Sequence, residues 1–160
     1  MEAEKFTDAI ALLKADHRKV EELFAKYETA RDSAKQKLAE QICTELKIHT
    51  AIEEEIYYPA LAGKVEEDLL NEAYVEHVSA KKLIDEIMAG SPEDQLYDAK
   101  VKVLSEEIEH HVKEEEAPKE GIFSQSRAAE VDLVALRDQM AARKAELMEA
   151  SKSGNMAELS

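Results

Sequence analysis

The chain has 160 residues, 36 acidic against 21 basic, for a formal net charge of −15. Four Gly and three Pro are about a third of the usual share of those residues, too few turn-formers for a β-sandwich or an α/β domain. The charge argues against a nucleic-acid partner, and the 44% hydrophobic content argues against wholesale disorder. No apolar run of about 18 residues is present, so no membrane span is expected. The first residues, Met-Glu-Ala-Glu, lack the basic and apolar regions of a signal peptide. The single Cys43 cannot form an internal disulfide, which suits a cytoplasmic location and an inert buried thiol.

Taken in chain order, apolar residues spaced by three and four predict five helical stretches. The first is capped by Thr7 or Asp8 and runs to about residue 30, with Ile10, Leu13, Val20, Phe24 and Tyr27 on its stripe. The second spans about 34–62, striped by Leu38, Ile42, Leu46, Ile52 and Ile56, with Pro59 near its end as a stop or kink. Gly63 marks a break. The third covers about 65–89, with Leu69, Leu70, Ala73, Tyr74, Ile84 and Ile87. Gly90-Ser91-Pro92 reads as a terminating glycine, a cap and a proline in the first turn of the fourth, about 92–116, striped by Leu96, Val101, Leu104 and Ile108. A loop is expected over 117–125, then a fifth helix over about 127–151 carrying Val131, Val134, Leu136, Met140 and Leu147. The expected fold is all-α: an up-down-up-down four-helix bundle in residues 1–125, an additional C-terminal helix in 126–151 packing on the bundle or in a dimer contact, and a polar tail in 152–160.

Four of the five histidines extend these stripes. Leu13-His17-Val20, Leu46-His49-Glu53, Ala73-His77-Ala80 and Ile108-His111-Glu115 are continuous seams, so each bundle helix turns one imidazole inward. His110 falls about 100° away from the His111 seam and is expected to face solvent or to stand behind the site. Two seams also carry a Glu one turn after the His, Glu53 and Glu115. A carboxylate inside a bundle is costly unless a cation neutralises it, and these seams hold no Lys or Arg. His17 lies 15 residues before the turn near residue 32 and His49 lies 17 after it, so in antiparallel neighbours the two meet at one level. His77 and His111 come level about Gly90-Ser91 in a similar way.

Imidazoles with bridging-capable carboxylates exceed the needs of one tetrahedral zinc and suit two first-row ions, with iron the leading candidate. The Glu-x-x-His signature of ferritin-like bundles occurs once, at Glu107-x-x-His110, where the His points off the seam. Tyr57, four residues past Glu53, is a candidate neighbour of the site, although a packing role is the simpler expectation; Tyr27 and Tyr74 are expected in the core.

Over about residues 6–125 this pattern of His, His-x3-Glu, His, His-x3-Glu resembles the hemerythrin-like proteins with an HHE cation-binding domain. The resemblance implies a non-haem centre of two iron ions, oxo- or hydroxo-bridged, with His17, His49, Glu53, His77, His111 and Glu115 as ligands and Glu53 and Glu115 as bridges. It implies a small-molecule oxidant as partner: O₂, peroxide or NO. The oxygen-carrying members place a second His four residues after the third-helix His and use His-x4-Asp on the fourth helix. Lys81 and Glu115 stand there instead, as in the four-His, two-Glu subgroup. An enzyme acting on the oxidant and a non-enzymatic iron or oxygen sensor are both compatible with these residues.

Overall fold

The computed structural model describes residues 3–154; of the expected polar tail, 155–160 lie outside the described residues. After a short 3-10 turn, Ala3–Lys5, the helices are α1 (Ala9–Glu28), α2 (Asp32–Ile52), α3 (Tyr58–Leu61), α4 (Glu67–Ala89), α5 (Tyr97–Glu116), α6 (Ile122–Ala128) and α7 (Leu133–Lys152). A π-helical turn, Glu53–Tyr57, joins α2 to α3. Helices α1, α2, α4 and α5 form the bundle, and α7 lies along α1 and α2. No helix among the described residues is long and apolar enough to cross a membrane.

Local chemistry accounts for the starts and breaks. Asp8 caps α1, its carboxylate accepting from the Ala11 amide at 2.9 Å. Gly63 takes the left-handed backbone, φ 80°, that ends the second helical stretch. At Gly121 the constraint is space: a Cβ would come within 2.6 Å of the Glu115 and Ala117 carbonyl oxygens, so only glycine lets the chain double back against the end of α5.

Several expectations are corrected. The fourth helix begins at Tyr97, not near Pro92, and Gly90 sits at φ −100° instead of in the left-handed region. Leu96, ahead of the first turn, is exposed accordingly. The expected 117–125 loop holds most of α6, which buries Ile122 and Phe123. Glu130, at φ 58°, separates α6 from α7, which Asp132 caps through the Ala135 amide; Val134 then faces solvent. Tyr74 is 36% exposed, packed edge-on against Tyr58.

The core falls into two apolar clusters. One gathers Leu12, Leu13, Ile48, Ile52, Tyr57, Tyr58, Phe123 and Met140. The other gathers Val20, Phe24, Ile42, Leu46, Ile84, Val101 and Leu104, with Cys43 buried among them and Tyr27 donating to Asp98 at 2.6 Å. Between Leu13 and Val20 on α1, and between Ala73 and Ala80 on α4, lies a polar layer.

Candidate metal centre

That layer holds His17, His49, Glu53, His77, His111 and Glu115, every one of them buried. The imidazoles face one another in two pairs: His17 with His49 and His77 with His111, each with ring centroids 5.0 Å apart. Each carboxylate spans the pairs. Glu53 Oε1 lies 3.3 Å from His49 Nε2 and 3.1 Å from His77 Nε2. Glu115 Oε1 lies 3.2 Å from His17 Nε2, and its Oε2 lies 3.4 Å from His111 Nε2.

These spacings have a chemical meaning. Two donor atoms each about 2.1 Å from a shared ion, at angles between right and tetrahedral, lie roughly 3.0–3.4 Å apart. Five of the converging atoms, His17 Nε2, His49 Nε2, Glu53 Oε1 and Oε2 and Glu115 Oε1, are sealed from solvent without a hydrogen-bond partner. Buried polar atoms left in that state cost free energy that a cation would recover. Two overlapping sets could each hold an ion: His17, His49, Glu53 and Glu115, and Glu53, His77 and His111. The residues present fit a pair of metal ions.

The outward face of every ring is also tied. His17 Nδ1 meets Glu116 Oε2 at 2.6 Å, His49 Nδ1 meets Asp16 Oδ2 at 2.9 Å, His77 Nδ1 meets Glu54 Oε2 at 2.7 Å, and His111 Nδ1 meets Glu76 Oε1 at 2.5 Å. A carboxylate on Nδ1–H fixes the tautomer and leaves the Nε2 lone pair directed inward, as ligating histidines require. Basic groups stand behind three of these carboxylates: Arg18 on Glu116 at 2.8 Å, Lys144 on Asp16 at 2.5 Å and Lys81 on Glu54 at 2.8 Å.

Electrostatics follow from this crowding. Burial pushes the His17 imidazole down, but the adjacent Glu115 and Glu116 carboxylates and the Glu53 charge together raise it to about 9. The same contest, burial against neighbouring carboxylates, leaves His77 raised and His111 raised well above the usual histidine value. Burial pushes Glu115 up, yet His111 and His17 outweigh it and hold the carboxyl well below its usual range. The carboxylates around His17, His77 and His111 thus favour the protonated form of those three rings.

Tyr57 packs in the core, the simpler of the two expectations for it, and the tyrosine beside the layer is Tyr58, which the sequence did not single out. The Tyr57 hydroxyl pairs with Ser126 Oγ at 2.8 Å, away from the layer. The Tyr58 hydroxyl instead donates to Glu115 Oε2 at 2.5 Å and stands 3.5 Å from Nε2 of both His77 and His111. The π turn is the cause. The Tyr58 amide bonds to the Glu53 carbonyl five residues back, so one extra residue enters the turn and Tyr58 takes the place Tyr57 would hold in a regular helix. Pro59 supplies the reason, having no N–H for the Glu55 carbonyl and a ring that crowds it. On the other side, Phe123 stacks on His17 at 5.8 Å and 13°.

His110 is 67% exposed and lies 2.5 Å from Glu114, outside the layer. Glu54 and Glu116, the sequence neighbours of Glu53 and Glu115, thus turn back to hold histidines. A cavity of about 20 Å³ adjoins the imidazoles, walled by Val20, Leu46, Ala80, Ile108 and Val112.

Comparisons with known proteins give a family and a fold. Residues 8–118 match the family model of the hemerythrin HHE cation binding domain. A crystal structure of an HHE cation-binding domain-containing protein from Mycobacterium kansasii superposes with a TM-score of 0.74 at 22% identity, covering 92% of this chain and 91% of that one, a likeness of fold. A DNA nickase of Nostoc sp. strain PCC 7120 is 32% identical over 107 residues, which are 66% of this chain and 30% of that protein.

Proposed function

The chain belongs to the hemerythrin HHE cation-binding family, and on that premise we propose that it is a non-haem di-iron protein that binds or reacts with a small oxidant: O₂, peroxide or NO. The observation that carries the reading is the set of four imidazoles whose Nδ1 atoms are tied to carboxylates and whose Nε2 atoms converge on two sealed glutamates. His17 and His49 would hold one ion and His77 and His111 the other, with Glu53 and Glu115 spanning both. This donor set exceeds what tetrahedral zinc needs, which favours iron.

Iron in such a site supplies redox-active positions open to a small molecule. The protein's part is orientation, exclusion and hydrogen bonding. Glu116, Asp16, Glu54 and Glu76 hold the rings in place. The adjoining cavity is little larger than the roughly 10–15 Å³ that one water needs, a size that suits a molecule of a few atoms. Tyr58 would offer the ion held by His77 and His111 either a hydrogen-bond donor or a further oxygen ligand, its hydroxyl standing 3.5 Å from both Nε2 atoms.

A non-enzymatic sensor of iron or oxygen is the second reading. It is favoured by the contact of α7, a helix outside the bundle, with Asp16 at the back of the centre. DNA nicking is not proposed: the match covers 30% of the nickase, and a charge of −15 opposes a polyanionic backbone. The deciding experiment is metal analysis of the purified chain, the near-ultraviolet spectrum of the oxidised protein and peroxide consumption after Fe(II) loading. Two irons per chain with turnover above free iron supports the enzyme, two irons without turnover the sensor, and no iron uptake refutes both.

A further inference from the structure

Helix α7 meets the bundle along a seam that is apolar at both ends and charged in the middle. Leu133, Leu136 and Met140 are buried before the gap, and Leu147 and Ala150 after it. In the gap Lys144 Nζ lies 2.5 Å from Asp16 Oδ1, and Arg143 Nε lies 2.9 Å from Glu55 Oε1. Asp16 is 5% exposed, and its other oxygen accepts from His49 Nδ1 at 2.9 Å. Of the four carboxylates behind the imidazoles, Asp16 alone is fully buried. It also takes its cation from outside the bundle, whereas Glu116 takes Arg18 from α1 and Glu54 takes Lys81 from α4. A carboxylate this buried needs a cation on its outer oxygen, and Lys144 supplies it, so the lysine serves Asp16 and not only the docking of α7.

We infer that Lys144 is a positioning residue for the metal centre, and that the run Lys144–Asp16–His49 couples the docking of α7 to metal loading. The inference rests on the reading of His49 as a metal ligand. With α7 seated, Lys144 fixes the Asp16 carboxylate, and Asp16 fixes the ring that presents Nε2 to the ion. Linkage makes the effect reciprocal: an ion that needs His49 in place holds α7 down.

The test uses the full chain and Co(II), an ion that stays divalent in the assay. Amide hydrogen exchange across 136–150 is followed with and without Co(II), and Co(II) affinity is measured for the wild type, Lys144→Met and Lys144→Arg. Loading should slow exchange in wild-type α7 several-fold. Lys144→Met should weaken the binding of one ion by about 10–100-fold, the range for lost outer partners of metal ligands, and abolish the slowing, while Lys144→Arg keeps both. Two ions bound with no change in wild-type α7 exchange would overturn the coupling; this comparison needs no variant to fold. Lys144→Met binding both ions with wild-type affinity would overturn the positioning role. A wild type that takes up no Co(II) refutes the metal reading itself and the inference with it.

Discussion

Removing Glu115 tests the two-ion reading most directly, because its oxygens lie 3.2 Å from His17 and 3.4 Å from His111, one in each pair. With metal at a hundredfold excess over Kd, each bound ion adds about 2.7 kcal/mol of stability, so two add about 5 kcal/mol. For a domain of this size 1 kcal/mol moves the melting temperature by about 2–4 °C, which puts the metal-induced shift of the wild type at roughly 10–20 °C. Glu115→Ala leaves the His17 and His77 sides joined through Glu53 alone. It should retain one ion at most, and its metal-induced shift should fall to half or less. The assay is a melt with and without Fe(II), anaerobic, beside metal counting on the same samples. Glu115→Ala retaining two ions and the full wild-type shift would refute the bridging geometry.

Three further outcomes follow from the same geometry. Tyr58→Phe should change the oxidised absorption spectrum while Tyr57→Phe leaves it unchanged, since only the Tyr58 hydroxyl lies 3.5 Å from both His77 and His111; equal effects would refute the register that the π turn imposes. His110→Ala should keep two ions per chain and His111→Ala should lose at least one, measured by metal analysis, because His110 is 67% exposed and outside the layer. The metal-free protein should lose stability as pH rises: His17, raised from 6.5 to about 9, contributes on the order of 3 kcal/mol that is fully present below pH 6.5 and gone once the pH passes about 9. Melts of the metal-free chain from pH 6 to 10 check this, and metal uptake at pH 7 should release protons measurable in weak buffer.

Periodicity carried the fold and the inward histidines because a seam of threes and fours reports which face of a helix is buried. It carried no information about a single-residue slip of phase. The π turn shifts Tyr58 into the place expected for Tyr57, and the available signal was Pro59, read as a stop or kink but not as a local widening. The same blindness affected boundaries: Pro92 looked like a helix start, yet α5 begins at Tyr97. The outer carboxylates were missed for a related reason. Asp16, Glu54, Glu76 and Glu116 each adjoin a seam residue in sequence, and a step of about 100° takes them off that seam. That step does not carry them into solvent. It turns them toward the neighbouring helix, where they reach the back of its histidine.

Those doublets reveal a symmetry that residue-by-residue comparison hides. Asp16-His17 on α1 corresponds to Glu76-His77 on α4, and Glu53-Glu54 after α2 corresponds to Glu115-Glu116 on α5. The bonds exchange accordingly: His17 uses Glu116 and His77 uses Glu54, while His49 uses Asp16 and His111 uses Glu76. Two helical hairpins thus contribute matching half-sites to one layer, each half supplying the carboxylates that orient one of its own histidines and one of the other half's. What breaks the symmetry is the cover on each side. Five residues after Glu53 the chain supplies the Tyr58 hydroxyl; after Glu115 it turns at Gly121 and lays Phe123 over His17. The His17 side is therefore roofed by a hydrocarbon ring and the His77 side by a phenol. On the proposed reading the two ions cannot be equivalent, and a small molecule bound between them meets a hydroxyl on the His77 and His111 side.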